Sequence, residues 1–152
     1  MLALVSPDQF VPKAHPIRRI KVVVDTCLRA LDRDLGGMYA SMGRASLPPE
    51  RLLKGSLLMA LFTIRSERLF CEQLAYNLMF RWFLDMDLTE KPFDHSTFSQ
   101  NRDRLVGHQV ARNFFVQVVE HVRSKRLLSD EHFTVDGTLI EAWASLKSLR
   151  PK

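Results

Sequence analysis

The residues with most chemistry in them are Phe133-Thr134-Val135-Asp136-Gly137-Thr138-Leu139-Ile140, an aspartate beside a glycine at the end of an apolar run. Alternation of side chains predicts a β-strand, with His132, Thr134 and Asp136 on one face. A carboxylate at a strand end is how a metal-dependent phosphoryl-transfer site begins. Such a site needs two or three hard oxygen ligands to hold its paired cations. His132 offers imidazole, a poor ligand for Mg²⁺, and reads as structural. Further carboxylates would have to follow, yet the sequence stops nine residues after Trp143. Asp136 is therefore expected to be one ligand of an incomplete site. The plainer alternative is that Asp-Gly between apolar residues simply makes a hairpin turn. The two roles are compatible.

A second constellation runs from Asp94 through His95, Ser96, Thr97, Ser99, Gln100, Asn101 and Arg102 to Arg104, with only Phe98 and Leu105 clearly apolar. Ser, Thr, Asn, Gln and Arg are the side chains that read base edges and grip phosphates. This helix follows another one, loosely as a recognition helix follows a positioning helix, but the connection is longer than that of a helix-turn-helix. A solvated amphipathic helix capped by Asp94 or Ser96 is the rival reading. Asp94 and His95 make a poor acid–base pair, because sequence neighbours on a helix do not face each other.

Charge points the same way. The net charge is +5, and residues 1–65 carry ten Lys and Arg against five Asp and Glu, while the remainder is balanced. The whole excess therefore sits in the first 65 residues, where Arg18, Arg19, Lys21 and Arg44 are candidate phosphate contacts. Cations gain affinity for nucleic acid by displacing counterions. The same surplus spread over several helices could also serve only solubility.

These residues need elements to hold them. Residues 1–14, with Pro7 and Pro12, read as an extended arm. A first helix opens at Pro16 and its apolar positions Ile20, Val24, Cys27, Leu28, Leu31 and Leu35 carry it to Gly36-Gly37, which should stop it. A polar loop containing Arg44 leads to Pro48-Pro49-Glu50, where a second helix, apolar almost all round, belongs at the centre of a bundle. Ser66 caps a third helix reaching about residue 78, with Leu69, Phe70, Leu74 and Leu78 inward. Residues 80–84 form an aromatic plug under a loop, with Trp82 in the core. An acidic loop, residues 85–90, leads to the polar fourth helix over about 96–105. A fifth helix over about 108–125 turns Val110, Phe114, Val118, Val119 and Val122 inward.

At 152 residues, with an apolar fraction of 46% and 26% charged residues, the chain has the composition of a globular protein. No apolar run is long enough to cross a bilayer, no membrane role is expected, and the N-terminus lacks the basic flank of a secretory signal. Cys27 and Cys71 fit neither a disulfide framework nor a metal-ligand spacing, which suits a reduced cytoplasm.

Four stretches together resemble one family, in order along the chain. They are Pro7-Asp8-Gln9-Phe10-Val11-Pro12-Lys13 with His15-Pro16; Ile64-Arg65-Ser66-Glu67-Arg68 with Gln73-Leu74 and Asn77-Leu78; Asp94-His95-Ser96-Thr97-Phe98-Ser99 with Asn101-Arg102; and residues 133–145. The chain resembles the N-terminal part of bacterial insertion-sequence transposases of the insertion-sequence-five-like group, with an InsH-type N-terminal domain. The resemblance implies a mainly α, multi-helix N-terminal domain over residues 15–128. The start of an RNase H-like α/β domain, its first strand or hairpin, would follow over residues 129–152. It also implies DNA cleavage and strand transfer by two aspartates and a glutamate with Mg²⁺, Asp136 matching the first aspartate and being a metal ligand in the complete enzyme. The other two carboxylates have no counterpart here, so no tightly bound metal and no enzymatic activity are expected of residues 1–152 alone. Terminal inverted repeats of DNA would be the partner, through Arg18, Arg19, Lys21, Arg44, Gln100, Arg102 and Arg104. Full-length transposase, or a second copy of the chain, would be a further partner, in a bacterial cytoplasm beside the nucleoid. The alternatives are an interaction module acting on intact transposase and an inert remnant of a decayed element.

A polypeptide of residues 1–152 is accordingly expected to leave supercoiled plasmid intact with Mg²⁺ or Mn²⁺. Metal-dependent nicking that Asp136→Asn abolishes would show that other carboxylates complete the site.

Overall fold

A computed structural model describes residues 5–42, 47–106 and 108–126. Arg44, Asp136 and the expected strand lie outside them. Among the described residues there are seven α-helices, a short 3-10 turn and no strand. The helices are α1 (Ile17–Ala30), α2 (Asp32–Met42), α3 (Pro49–Leu61), α4 (Glu67–Gln73), α5 (Leu78–Phe83), α6 (His95–Val106) and α7 (Gln109–Ser124). The mainly α reading of this part holds.

α3 is the central element. Pro48 and Pro49 start it, and every residue from Leu52 to Met59 is buried. It packs on α6 and α7, while α7 also packs along α1. Buried Val24, Leu53, Leu58, Phe114 and Val118 belong to the one apolar core these helices share.

Around the end of α3 the core is aromatic. Phe62 meets Phe80, Phe80 meets Phe70, Phe70 meets Phe98, and Phe98 stacks on Phe93, with ring centroids 5.2, 5.8, 5.4 and 5.6 Å apart. This chain of rings ties α3, α5, α4 and α6 together. Gly55 makes room for it. A β-carbon there would lie 3.0 Å from the Phe98 ring and 3.1 Å from the Phe70 ring, both fully buried.

Several expected boundaries move, each for a physical reason. Gly36-Gly37 does not stop a helix, because both residues lie inside α2. The break comes earlier, at Leu31, whose φ of −97° and ψ of 4° interrupt the helical run between α1 and α2. Glycine costs a helix interior about 1 kcal/mol, and the burial of Leu28 and Leu35 on either side of the break, with Leu31 at it, favours this course. The third helix ends at Gln73 instead of reaching residue 78. Asn77 adopts an extended conformation and accepts a hydrogen bond from the Phe80 backbone N–H at 3.1 Å, starting α5 anew. The restart turns Phe80 and Phe83 into the core, so the aromatic plug is a helix in its own right. Leu69, expected inside, is 43% exposed, since Phe70, Cys71 and Leu74 form the buried edge of α4. The N-terminal arm is not simply extended. Residues Pro7–Phe10 form a 3-10 turn, Ser6 accepts from the Asp8 N–H, and Val11 is buried.

Ser66 does cap α4, accepting from the Leu69 N–H at 3.2 Å, and Asp94 starts α6 by accepting from the Ser96 N–H at 2.9 Å. At the C-terminal ends of α3 and α5 the chain turns through left-handed residues that are not glycine, Thr63 (φ 56°) and Asp85 (φ 54°). Each closes the two-bond pattern common at helix ends. Ile64 N–H reaches Met59 O at 2.8 Å, and Met86 N–H reaches Arg81 O at 2.9 Å.

Gly55→Ala is expected to destabilise the protein by about 1–3 kcal/mol despite alanine's better helix propensity, because two packed rings must move. Thr63→Gly should do the opposite, by up to about 1 kcal/mol, since it relieves a β-branched residue at positive φ. Urea midpoints of the two variants should move in opposite directions from the wild type.

Candidate nucleic-acid interface

α6 has a buried side and an exposed polar edge. Phe98, Asn101 and Leu105 are buried, and the Asn101 amide donates to Thr97 O at 2.7 Å. Ser96, Gln100 and Arg104, spaced four residues apart, are exposed and form a polar edge one turn after another. The helix is held from behind by α4, through the Phe70–Phe98 ring contact and an ion pair between Glu67 and Arg102. The expected positioning helix and polar helix are thus direct neighbours, although α5 and two loops separate them in sequence.

The expected phosphate contacts divide sharply. Arg19 is exposed on α1. Arg18, one residue earlier, is bound into the fold. Its guanidinium donates to the Asp8 carboxylate and to the backbone carbonyls of Asp8, Val11 and Pro12, at 2.8 to 3.2 Å, and lies 5.0 Å from the centre of the Trp82 ring. The Trp82 indole N–H donates to the same Asp8 oxygen at 2.8 Å. The guanidinium, with help from the indole, holds the Asp8 carboxyl below the usual range. Trp82, expected in the core, is instead a half-buried platform beneath two cations, the second being Lys21 at 5.5 Å.

Lys21 is buried, with its ammonium 3.1 Å from Asp25 and 2.7 Å from Asp85. Lys54 of α3 is buried more deeply and reaches the same two carboxylates, Asp25 at 2.6 Å and Asp85 on its other oxygen. Two lysines and two aspartates therefore make a neutral quartet joining α1, α3 and the end of α5. Arg102 is also turned inward, its side chain only 11% exposed beside Glu67. Burial works against its charge and holds the guanidinium below its ordinary value. Of the seven expected DNA contacts, Arg19, Gln100 and Arg104 face solvent, Arg18, Lys21 and Arg102 have internal partners, and Arg44 lies outside the described residues.

The loop of residues 85–90 is clamped from inside as well. Arg51 forms a forked pair with Glu90 and donates to Asp85 O at 3.0 Å, while buried Arg81 donates to Asp87 O and Glu90 O at 2.7 and 2.9 Å. Lys54 and Arg81 join the candidate residues only through the fold. The signal was present: each is a lone cation inside an otherwise apolar helical run, where a charge must be buried and therefore paired.

Other chemistry is scarce. Burial raises both thiols, Cys71 to about 12 with help from the Asp94 charge, so neither is a ready nucleophile. No three His, Cys, Asp or Glu side chains gather to hold a metal ion among the described residues. No described helix is long and apolar enough to cross a membrane.

Residues 5–104, about two thirds of the chain, match the family described as Transposase domain (DUF772). The chain belongs to this transposase-domain family. The matched region begins just before the 3-10 turn and ends within α6 at Arg104, so it contains the clasp around Trp82, the charge quartet and the polar edge of α6. No curated protein and no solved structure matches the chain. Family membership assigns the transposase domain a role in transposition, and hence a role with DNA.

The quartet gives this domain a defined pH window. Burial pushes the Asp85 carboxyl up, but hydrogen bonds from Lys21 and Lys54 outweigh it and leave the group below its ordinary value. Burial likewise opposes the Lys54 ammonium, and its bonds to Asp25 and Asp85 outweigh that and raise it. A lowered carboxylate stabilises the fold above its unfolded value of about 3.9, and the effect is lost as pH falls through the folded value. A raised amine contributes below its unfolded value of about 10.4, and that is lost as pH rises through the folded value. The urea midpoint should therefore fall at both extremes, with a shallower acid limb in Asp85→Asn. An acid limb unchanged by that substitution would remove Asp85 from the account.

Proposed function

We propose that this transposase-domain chain is the DNA-end-binding part of a DDE-type insertion-sequence transposase. The observation that carries the reading is the outward polar edge of α6, Ser96, Gln100 and Arg104, on a helix whose other face is fully engaged. Side chains of these types suit base edges and phosphates in a major groove. Exposed Arg19 would add a sequence-independent phosphate contact.

Cleavage and strand transfer belong to the same proposal at one remove. In the complete enzyme Mg²⁺ would supply charge stabilisation for phosphoryl transfer, and Asp136 would be one of its ligands. The described helices present no set of ligands for such an ion, and no step of that chemistry is assigned to them. Their part is to bind and orient DNA.

A second reading, contact with intact transposase, is favoured by one observation. Leu69 and Tyr76, along α4 and the turn after it, are 43% and 62% exposed. Co-purification of the chain with full-length transposase, lost in Leu69→Asp, would support that reading.

DNA binding predicts two kinds of mutant. Arg19→Ala should weaken binding to every duplex alike and lower the log–log salt slope by roughly 0.9. Gln100→Ala and Arg104→Ala should each reduce the preference for a terminal inverted repeat, by about 1–3 kcal/mol for a residue that contacts a base. Equal losses on terminal-repeat and shuffled duplexes would leave α6 as a phosphate contact or scaffold.

A further inference from the structure

Arg102 has the residue type of a DNA contact and the environment of a structural one. It sits one turn after Phe98, and both point from α6 back toward α4. Its side chain is 11% exposed and that of its partner Glu67 is 18% exposed. Glu67 stands in the first turn of α4, directly after the Ser66 cap that fixes where this helix begins. Three groups therefore define one side of α6: Phe98 among Phe70 and Phe93, Asn101 tied to Thr97, and Arg102 on Glu67.

Phe98 and Leu105 are the buried apolar side chains described on this twelve-residue helix, so apolar packing by itself fixes its rotation only loosely. An aromatic ring alone tolerates such rotation, since ring contacts are broad in angle. A largely desolvated guanidinium–carboxylate ion pair does not, because rotation would separate two charges where water screens them little, and that is costly. We infer that Arg102 and Glu67 are positioning residues for DNA recognition. Their ion pair sets the rotation of α6 that presents Ser96, Gln100 and Arg104 outward together, and neither residue touches DNA. The inference rests on the DNA-binding reading given above and goes beyond it by moving Arg102 out of the interface and adding Glu67.

Glu67→Gln separates this role from direct contact, because the two make opposite predictions. If Glu67 positions α6, the variant loses on the order of tenfold in the ratio of terminal-repeat to shuffled-duplex affinity, comparable to one mismatched base pair. Its salt slope should be unchanged, and Arg102→Gln should show the same pattern. If Glu67 only sequesters a DNA-contacting Arg102, then Glu67→Gln frees a cation, raises affinity for both duplexes and steepens the slope by roughly 0.9. That result would overturn the inference.

The probes are a duplex carrying the terminal repeat of the encoding element and a shuffled duplex of the same composition. Amide hydrogen exchange on the DNA-free protein supplies the independent measurement. Exchange of the α6 amides should rise in Glu67→Gln while that of α1 and α7 stays slow. Unchanged protection of α6 would overturn the positioning role whether or not the protein binds DNA. Failure of the wild type to prefer the terminal repeat, with α6 protection still dependent on Glu67, would instead overturn the DNA-reading proposal and with it Arg102 as a recognition residue.

Discussion

A primary amine in the middle of a buried helix requires negative charge within hydrogen-bond reach, and Lys54 imposes that requirement on this fold. Its side chain is 5% exposed, on a helix that is buried nearly all round. Asp25 answers from α1 and Asp85 from the end of α5. Those carboxylates also hold Lys21, so the arrangement is neutral and each charge has two partners of opposite sign. Such a cluster adds less stability than equal apolar packing would, but breaking it leaves an uncompensated charge inside. It consequently constrains how α1, α3 and α5 are disposed toward one another.

The consequences spread outward. Asp85 occupies a left-handed position that glycine usually takes, and glycine there would lack the carboxylate that two lysines share. Trp82, one turn earlier, lies beneath Lys21 and Arg18, and through Arg18 and Asp8 it holds the N-terminal 3-10 turn. The loop after α5 is kept in place by Arg51 and Arg81. It hands the chain to Asp94, which caps α6. The polar edge of α6 thereby follows the charge quartet along the chain after one short loop.

The stretches that carry the transposase resemblance acquire physical meaning in this arrangement. Asp8 closes the clasp on Arg18 and Trp82; Ser66, Asn77 and Asp94 are helix caps; Glu67 and Arg102 join two of the stretches across the α4–α6 contact. These six motif residues thus make the scaffold. Of the face proposed for DNA, Ser96 belongs to one of these stretches, whereas Gln100 and Arg104 lie outside them.

Helices whose apolar residues recur at helical spacing were legible from the chain alone: α1, α3 and α7 begin where prolines, His108 and apolar periodicity place them. The caps at Ser66 and Asp94 were legible too, because capping is a local hydrogen bond between near neighbours. The central position of α3 followed from its all-round apolarity. Pairing was not legible. Lys21 and Asp85 are 64 residues apart and Trp82 and Asp8 are 74 apart, and composition says nothing about which charges meet at such separations. The same distance in sequence hid the fate of the basic residues, so that Arg18 and Arg102 looked as available as Arg19 and Arg104. Local preference acts over three or four residues, whereas burial of a charge is settled only when remote segments close over it. That closure left Arg19, Gln100 and Arg104 facing outward and gave Arg18, Lys21 and Arg102 partners within the fold.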